Sequence, residues 1–92
     1  MNYGEALELM KTGKRVARTG WNGKGMFIAI QEGSTIPASY ARGGVAKFLA
    51  DDGAESIKIL PHIDMKAADG SVVVGWLASQ TDMIAEDWME VK

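Results

Sequence analysis

Two short blocks hold the residues best suited to chemistry. The first, Arg18-Thr19-Gly20-Trp21-Asn22-Gly23-Lys24-Gly25, combines three glycines with a ring, an amide and two bases. Backbone N–H groups of such a loop, with Lys24, can cradle a phosphate, and the Trp21 indole can stack on a base. It is not a Walker loop, because Arg18 stands where the first glycine belongs and Gly25 replaces the magnesium-holding Ser or Thr. A hairpin with a packed tryptophan is the other reading. The second block, Trp76-Leu77-Ala78-Ser79-Gln80-Thr81-Asp82, sets a ring beside a hydroxyl, an amide and a helix start. That set can bind an adenine or ribose and a phosphate, or it can pack.

Catalytic constellations are absent. The chain has no cysteine, which excludes disulfides, thiolate zinc sites and cysteine nucleophiles. His62 is the single histidine; near Asp64 and Asp69 it suggests at most a lone general base, and no metal cluster follows from one imidazole. Ser79 lacks the Gly-x-Ser-x-Gly context of a nucleophile elbow. Asp82, Glu86 and Asp87 read as cap and solvent-face charges of a short helix. No catalytic residue, metal site or cofactor is expected.

The elements that must position these blocks are legible in outline. Asn2 and Glu5 have capping-box spacing, Tyr3, Ala6, Leu7 and Met10 make one apolar helical face, and Gly13 ends it, predicting a helix over 3–12. Strand-like runs at 14–19 and 26–31 flank Asn22-Gly23, a hairpin signal, though the surrounding glycines favour a wider loop than a two-residue turn. Within the first run, Lys14, Val16 and Arg18 alternate with Arg15, Ala17 and Thr19. Residues 32–60 suggest a turn at Glu32-Gly33-Ser34, an extended Ile36-Pro37, a short helix over Val45–Ala50 and a strand over Ser56–Leu60. A second hairpin turns at Asp69-Gly70 between 63–66 and 71–74. Ser79 and Asp82 can cap a helix over 80–86, and Trp88–Val91 alternates as a final strand. Hairpins in place of long crossovers indicate an α+β fold. The expectation is a small single domain over 1–92: an antiparallel sheet with an N-terminal helix and a short C-terminal helix.

Charge narrows the partner. Seven bases face Glu32 alone between residues 9 and 50, whereas nine acids face three lysines between 51 and 92. The halves can form a basic surface or neutralise each other on folding. A net charge of −2 suits a small phosphorylated ligand better than duplex nucleic acid. No apolar run approaches the ~18 residues of a membrane span, and the acidic start does not read as a secretory signal. The expectation is a soluble intracellular protein without nucleic-acid or membrane partners.

The blocks, together with Asn2-Tyr3-Gly4-Glu5-Ala6-Leu7, Met65-Lys66-Ala67-Ala68-Asp69-Gly70 and Ala85-Glu86-Asp87-Trp88, resemble the second Thoeris anti-defence family of small phage and prophage proteins. The resemblance covers both ends of the chain, and 32–60 is a variable segment. It implies a non-catalytic sponge that holds a cyclic ADP-ribose-type immune signal, such as glyco-cyclic ADP-ribose, or a cyclic dinucleotide. It also implies a homotetramer in the cytoplasm of the infected or lysogenic host. On matching positions, Trp21 would stack on a base while Asn22 and the Gly23 backbone contact ribose or phosphate. Arg18 and Lys24 would neutralise phosphate charge. In the second block, beside Trp76, Ser79 and Gln80 with the helix N-terminus would complete a polar wall, and Asp82 would accept from a ribose hydroxyl or base amine. Gly75 departs from the proline often found before the tryptophan. Two other classes stay open: a nucleotide-cleaving enzyme using His62 and Asp64, and a structural phage interaction domain.

Overall fold

Asn2 opens the first helix through the predicted reciprocal cap. Its side-chain oxygen accepts the Glu5 N–H at 2.8 Å, and the Glu5 carboxylate accepts the Asn2 N–H at 3.0 Å. The computed structural model describes all of Met1–Lys92 and contains helices α1 (Tyr3–Lys11), α2 (Gly44–Asp51) and α3 (Gln80–Ile84). Its strands are β1 (Arg15–Arg18), β2 (Phe27–Gln31), β3 (Ser34–Pro37), β4 (Ser56–Ile59), β5 (His62–Lys66), β6 (Val72–Val74) and β7 (Trp88–Val91). The α+β, antiparallel expectation is met.

The chain divides into two compact units, Met1–Gln31 with His62–Lys92, and Glu32–Pro61. In the first unit five strands run in the order β6-β5-β2-β1-β7, all antiparallel. Register aligns Val16 with Ile28 and Ile28 with Met65, which puts a row of three buried side chains across the sheet. Ala6 and Met10 of α1 and Trp88 of β7 complete that core. This explains why the apolar stripe of α1 repeats at helical spacing: it is the lid of the sheet. The β5–β6 hairpin turns where expected, with Gly70 alone taking the left-handed conformation (φ 91°).

The second unit follows β2 in the chain and returns to β5. It pairs β3 with β4 antiparallel, Ser34 opposite Ile59 and Pro37 opposite Ser56, and adds a 3-10 turn at Ala38–Tyr40 before α2. Ile57 is its buried side chain. Tyr40, Val45 and Phe48 lie exposed.

Candidate functional site

Arg18 ends β1 opposite Trp88 of β7, and this register decides what surrounds it. Its Nε donates to Asp87 Oδ1 and its Nη1 to Asp82 Oδ1, each at 2.8 Å. The ionised pairs shield one another, with the Arg18 and Asp82 side chains only 17% and 14% exposed. Such charge-assisted bonds are stronger than neutral ones. The bonds to Asp87 and then Asp82 raise the Arg18 pKa further.

Asp87 also grips the start of the glycine loop. Its Oδ2 accepts the Gly20 N–H at 2.8 Å and the Thr19 hydroxyl at 3.4 Å, while its main-chain oxygen accepts the Thr19 N–H at 3.1 Å. Hydrogen bonding from Arg18 holds the Asp87 carboxyl below its ordinary value, helped by the Gly20 N–H. The expectation that Asp87 is a solvent-face charge is corrected here. It lies beyond the end of α3, and strand register turns it toward Arg18.

Asp82 joins both sequence blocks. Oδ1 accepts from Arg18 and from the Trp21 indole Nε1 at 3.3 Å, and Oδ2 accepts from the Ser79 hydroxyl and N–H at 2.9 and 3.3 Å. The Asp82 N–H returns to Ser79 Oγ at 3.1 Å, completing a capping box at α3. The Asp82 main-chain oxygen accepts the Trp88 Nε1 at 2.9 Å. Burial pushes the Asp82 carboxyl up, but hydrogen bonds from Arg18, Ser79 and Trp21 outweigh it and leave the pKa lowered. Ser79 and Asp82 are thus capping partners of each other as well as candidate ligand contacts. The helix they start is shorter than expected, ending at Ile84.

The three tryptophans meet edge-on. Ring centroids lie 6.1 Å apart for Trp21 and Trp76, 5.4 Å for Trp21 and Trp88, and 6.5 Å for Trp76 and Trp88. Trp88 is fully buried, as its place in an alternating strand implies, whereas Trp21 and Trp76 are half-buried. Trp76 is located by its N–H, which donates to Ile63 on β5 at 2.7 Å. Asp64 on the same strand accepts the Gly75 N–H at 3.0 Å, and its Oδ1 lies 3.3 Å from His62 Nε2. Asp64 therefore touches the segment leading into Trp76, and His62 sits beside Asp64.

The remaining predicted residues sit apart from this cluster. The loop from 19 to 26 is the wider connection expected, with Gly25 and not Asn22 or Gly23 in the left-handed region (φ 76°). Gly23 packs so closely that an added Cβ would fall 2.6 Å from Met26 Sδ and 2.7 Å from Ala68 Cβ. Asn22 and Lys24 are exposed. The far end of the loop is tied by Lys66 Nζ, which donates to the Gly25 carbonyl at 3.0 Å.

Beside the cluster opens a cleft of about 400 Å³ lined by Arg18, Gln80, Thr81, Ile84 and Ala85, within the range of small-molecule sites. Two guanidinium bonds are committed to carboxylates, and the fork has five N–H donors, so Arg18 keeps donors for a ligand. Gln80 and Thr81 add an amide and a hydroxyl, and Ile84 and Ala85 an apolar wall. Sequence reasoning missed Thr81, Ile84 and Ala85, although their i, i+3, i+4 spacing marks one helical face. It also missed the role of Asp87, for which only β1–β7 pairing gives a signal.

A family model described as the Thoeris anti-defense 2-like domain matches residues 1–91. The chain belongs to this Thoeris anti-defense 2-like family. Among curated proteins, it is 36% identical to "Thoeris anti-defense 2" of Bacillus phage SP01 over 88 residues, covering 96% of this chain and 91% of that relative. The resemblance carried by the two blocks therefore extends across the whole chain, including 32–60. As a Thoeris anti-defense 2-like protein it has a role in phage anti-defence, directed at host immune signalling. None of its helices is long and apolar enough to cross a membrane.

Proposed function

We propose that this protein is a sponge: it binds a cyclic nucleotide immune signal of the host and holds it without chemical change. The ligand class is a cyclic ADP-ribose-type molecule, such as glyco-cyclic ADP-ribose, with cyclic dinucleotides as further candidates. The observation that carries the reading is the cleft at Arg18, where an oriented guanidinium meets the Gln80 amide, the Thr81 hydroxyl and the apolar Ile84 and Ala85. Phosphate suits the remaining guanidinium donors, ribose hydroxyls suit Gln80 and Thr81, and a base suits the apolar wall and the half-buried Trp21 and Trp76 rings. Asn22, the Gly23 backbone and Lys24 add donors on the adjoining loop.

Sequestration is favoured over turnover by the company each polar group keeps. Cleaving a phosphodiester needs an activated nucleophile or a metal-bound water. Asp82 and Asp87 are committed to Arg18, Ser79, Trp21 and Gly20, and Asp64 to Gly75 and His62. Tight binding without preferential transition-state binding holds a ligand without converting it.

Assembly as a homotetramer in the cytoplasm of the infected or lysogenic host belongs to the same reading. It is supported by the exposed apolar edge strand Val72–Val74 and by Leu77 and Ile84, because exposed apolar patches and bare strand edges mark contact surfaces.

The deciding experiment mixes excess protein with glyco-cyclic ADP-ribose, removes the protein by heat, and analyses the supernatant by chromatography and mass spectrometry. Depletion before heating and stoichiometric return of the intact molecule afterwards are expected. A linearised or hydrolysed product that grows with time would overturn the reading and return His62 and Asp64 to contention as catalysts. Absence of binding across a panel of cyclic nucleotides would favour a structural phage interaction domain.

A further inference from the structure

We infer that Asp87 is the positioning residue of the candidate site, setting ligand affinity through Arg18 and the glycine loop without touching the ligand. The inference rests on the sequestration reading for its ligand, and on geometry alone for its mechanism.

Four hydrogen bonds link Asp87 to three consecutive residues. Oδ1 takes Arg18 Nε, Oδ2 takes the Gly20 N–H and the Thr19 hydroxyl, and the main-chain oxygen takes the Thr19 N–H. The chain leaves β1 at these three residues and enters the loop that carries Trp21, Asn22 and Lys24. Asp87 itself is not among the residues lining the cleft, and neither is Asp82; Arg18 is. Arg18 has Asp87 on Nε and Asp82 on Nη1, so the plane of its fork is fixed from two sides. A guanidinium held in one orientation binds a phosphate without first losing rotamer freedom. Gly20 fits this arrangement for a steric reason: a Cβ there would lie 2.7 Å from Asp87 Oδ2.

Asp82 can substitute for only part of this. It holds Nη1 but contacts neither Thr19 nor Gly20, and its other oxygen is engaged by Ser79. Without the Asp87 carboxylate, Arg18 keeps one tether, and the loop keeps the Thr19 N–H bond to the main chain of residue 87, the Trp21 bond to Asp82 and its tie at Gly25 from Lys66, but loses the side-chain grip on Thr19 and Gly20.

The test uses the full chain as wild type, Asp87→Asn, Gly20→Ala, Arg18→Gln and the double variant Asp87→Asn/Arg18→Gln. Calorimetric titration with glyco-cyclic ADP-ribose is read alongside thermal melting. Asp87→Asn should weaken binding tenfold or more, equivalent to about 1.4 kcal/mol. Gly20→Ala, which pushes the carboxylate aside while keeping its charge, should do the same. Because Asp87 acts in part through Arg18, the loss in the double variant should fall well short of the product of the two single losses, the non-additivity of a shared interaction. A merely structural role would lower melting and let the two losses multiply. Binding of Asp87→Asn within twofold of wild type, or multiplying losses, overturns the inference.

A ligand-free readout separates this from failure of the sponge reading. Trypsin should cut after the exposed Lys24 faster in Asp87→Asn and in Gly20→Ala than in wild type, at temperatures well below each melting point. If wild type binds no cyclic nucleotide, the sponge reading falls and the cleavage rates alone decide: faster cleavage sustains Asp87 as the loop anchor, and unchanged cleavage overturns it. Should Asp87→Asn fail to fold, Gly20→Ala decides by the same two measurements.

Discussion

Trp21 and Asp82, 61 positions apart, meet through a 3.3 Å hydrogen bond from the indole Nε1–H to a carboxylate oxygen that also accepts from Arg18. This bond fastens the glycine loop to the start of α3. A residue expected to serve a ligand therefore also serves the fold. Trp21→Phe keeps an aromatic ring against Trp76 and Trp88 but removes the donor. It should retain the fold and weaken cyclic nucleotide binding less than Trp21→Ala. Base–aromatic stacking is worth ~1–3 kcal/mol, so Trp21→Ala should lose roughly 5- to 150-fold in affinity, measured by titration calorimetry.

Asp82→Ala removes the capping partner of Ser79 and the acceptor of Trp21, and leaves Arg18 paired with Asp87 alone. The expected loss is about 1–3 kcal/mol, the scale of an unmet polar group or a broken charged hydrogen bond. Denaturant titration followed by tryptophan fluorescence measures it. Stability equal to wild type would contradict the central place given to this carboxylate.

Trp88→Ala should cost more, about 3–5 kcal/mol, because it empties a buried site and leaves a cavity. Trp88 touches Tyr3, Trp21 and Trp76, and its indole N–H would no longer reach the Asp82 carbonyl. In a 92-residue chain such a loss approaches the whole stability. Circular dichroism should show a greatly lowered melting point or an unfolded chain.

Acid should loosen the same cluster. The Asp82 and Asp87 carboxyls both lie below the ordinary value of 3.8 in the folded chain. A depressed folded pKa contributes stability that is fully present above the unfolded value and is lost as pH falls through the folded one. Stability from these two groups should therefore hold at neutral pH and decline below about pH 4. Denaturant midpoints at stepped pH test this. The decline should be shallower in Asp82→Asn, which has no proton to take up there.

Light scattering at micromolar concentration should give a mass four times the 9.9 kDa of the chain. Replacing Val73 in β6 with lysine should shift that mass downward, since a charge on an exposed edge strand opposes strand-to-strand contact. A wild-type mass near that of one chain would end the tetramer proposal.

Local rules were enough to read most elements in the amino-acid sequence. The Asn2–Glu5 and Ser79–Asp82 caps, the stripe of Tyr3, Ala6, Leu7 and Met10, and the turn at Asp69-Gly70 depend on neighbours within a few residues, so spacing alone locates them. Both candidate blocks were visible for the same reason, as unusual local mixtures of rings, glycines and short polar side chains. What tertiary structure alone decided is which distant groups meet. Arg18 could have faced solvent, a ligand or any of nine acids in the second half. Pairing of β1 with β7 turned it toward Asp82 and Asp87. Asp87 looked like a helix surface charge because nothing within four residues of it hints at Gly20. A partner 67 positions away is chosen by strand register, and the buried side chains on the β1–β7 pair that favour this register are Val16 and Trp88, both in the core under α1.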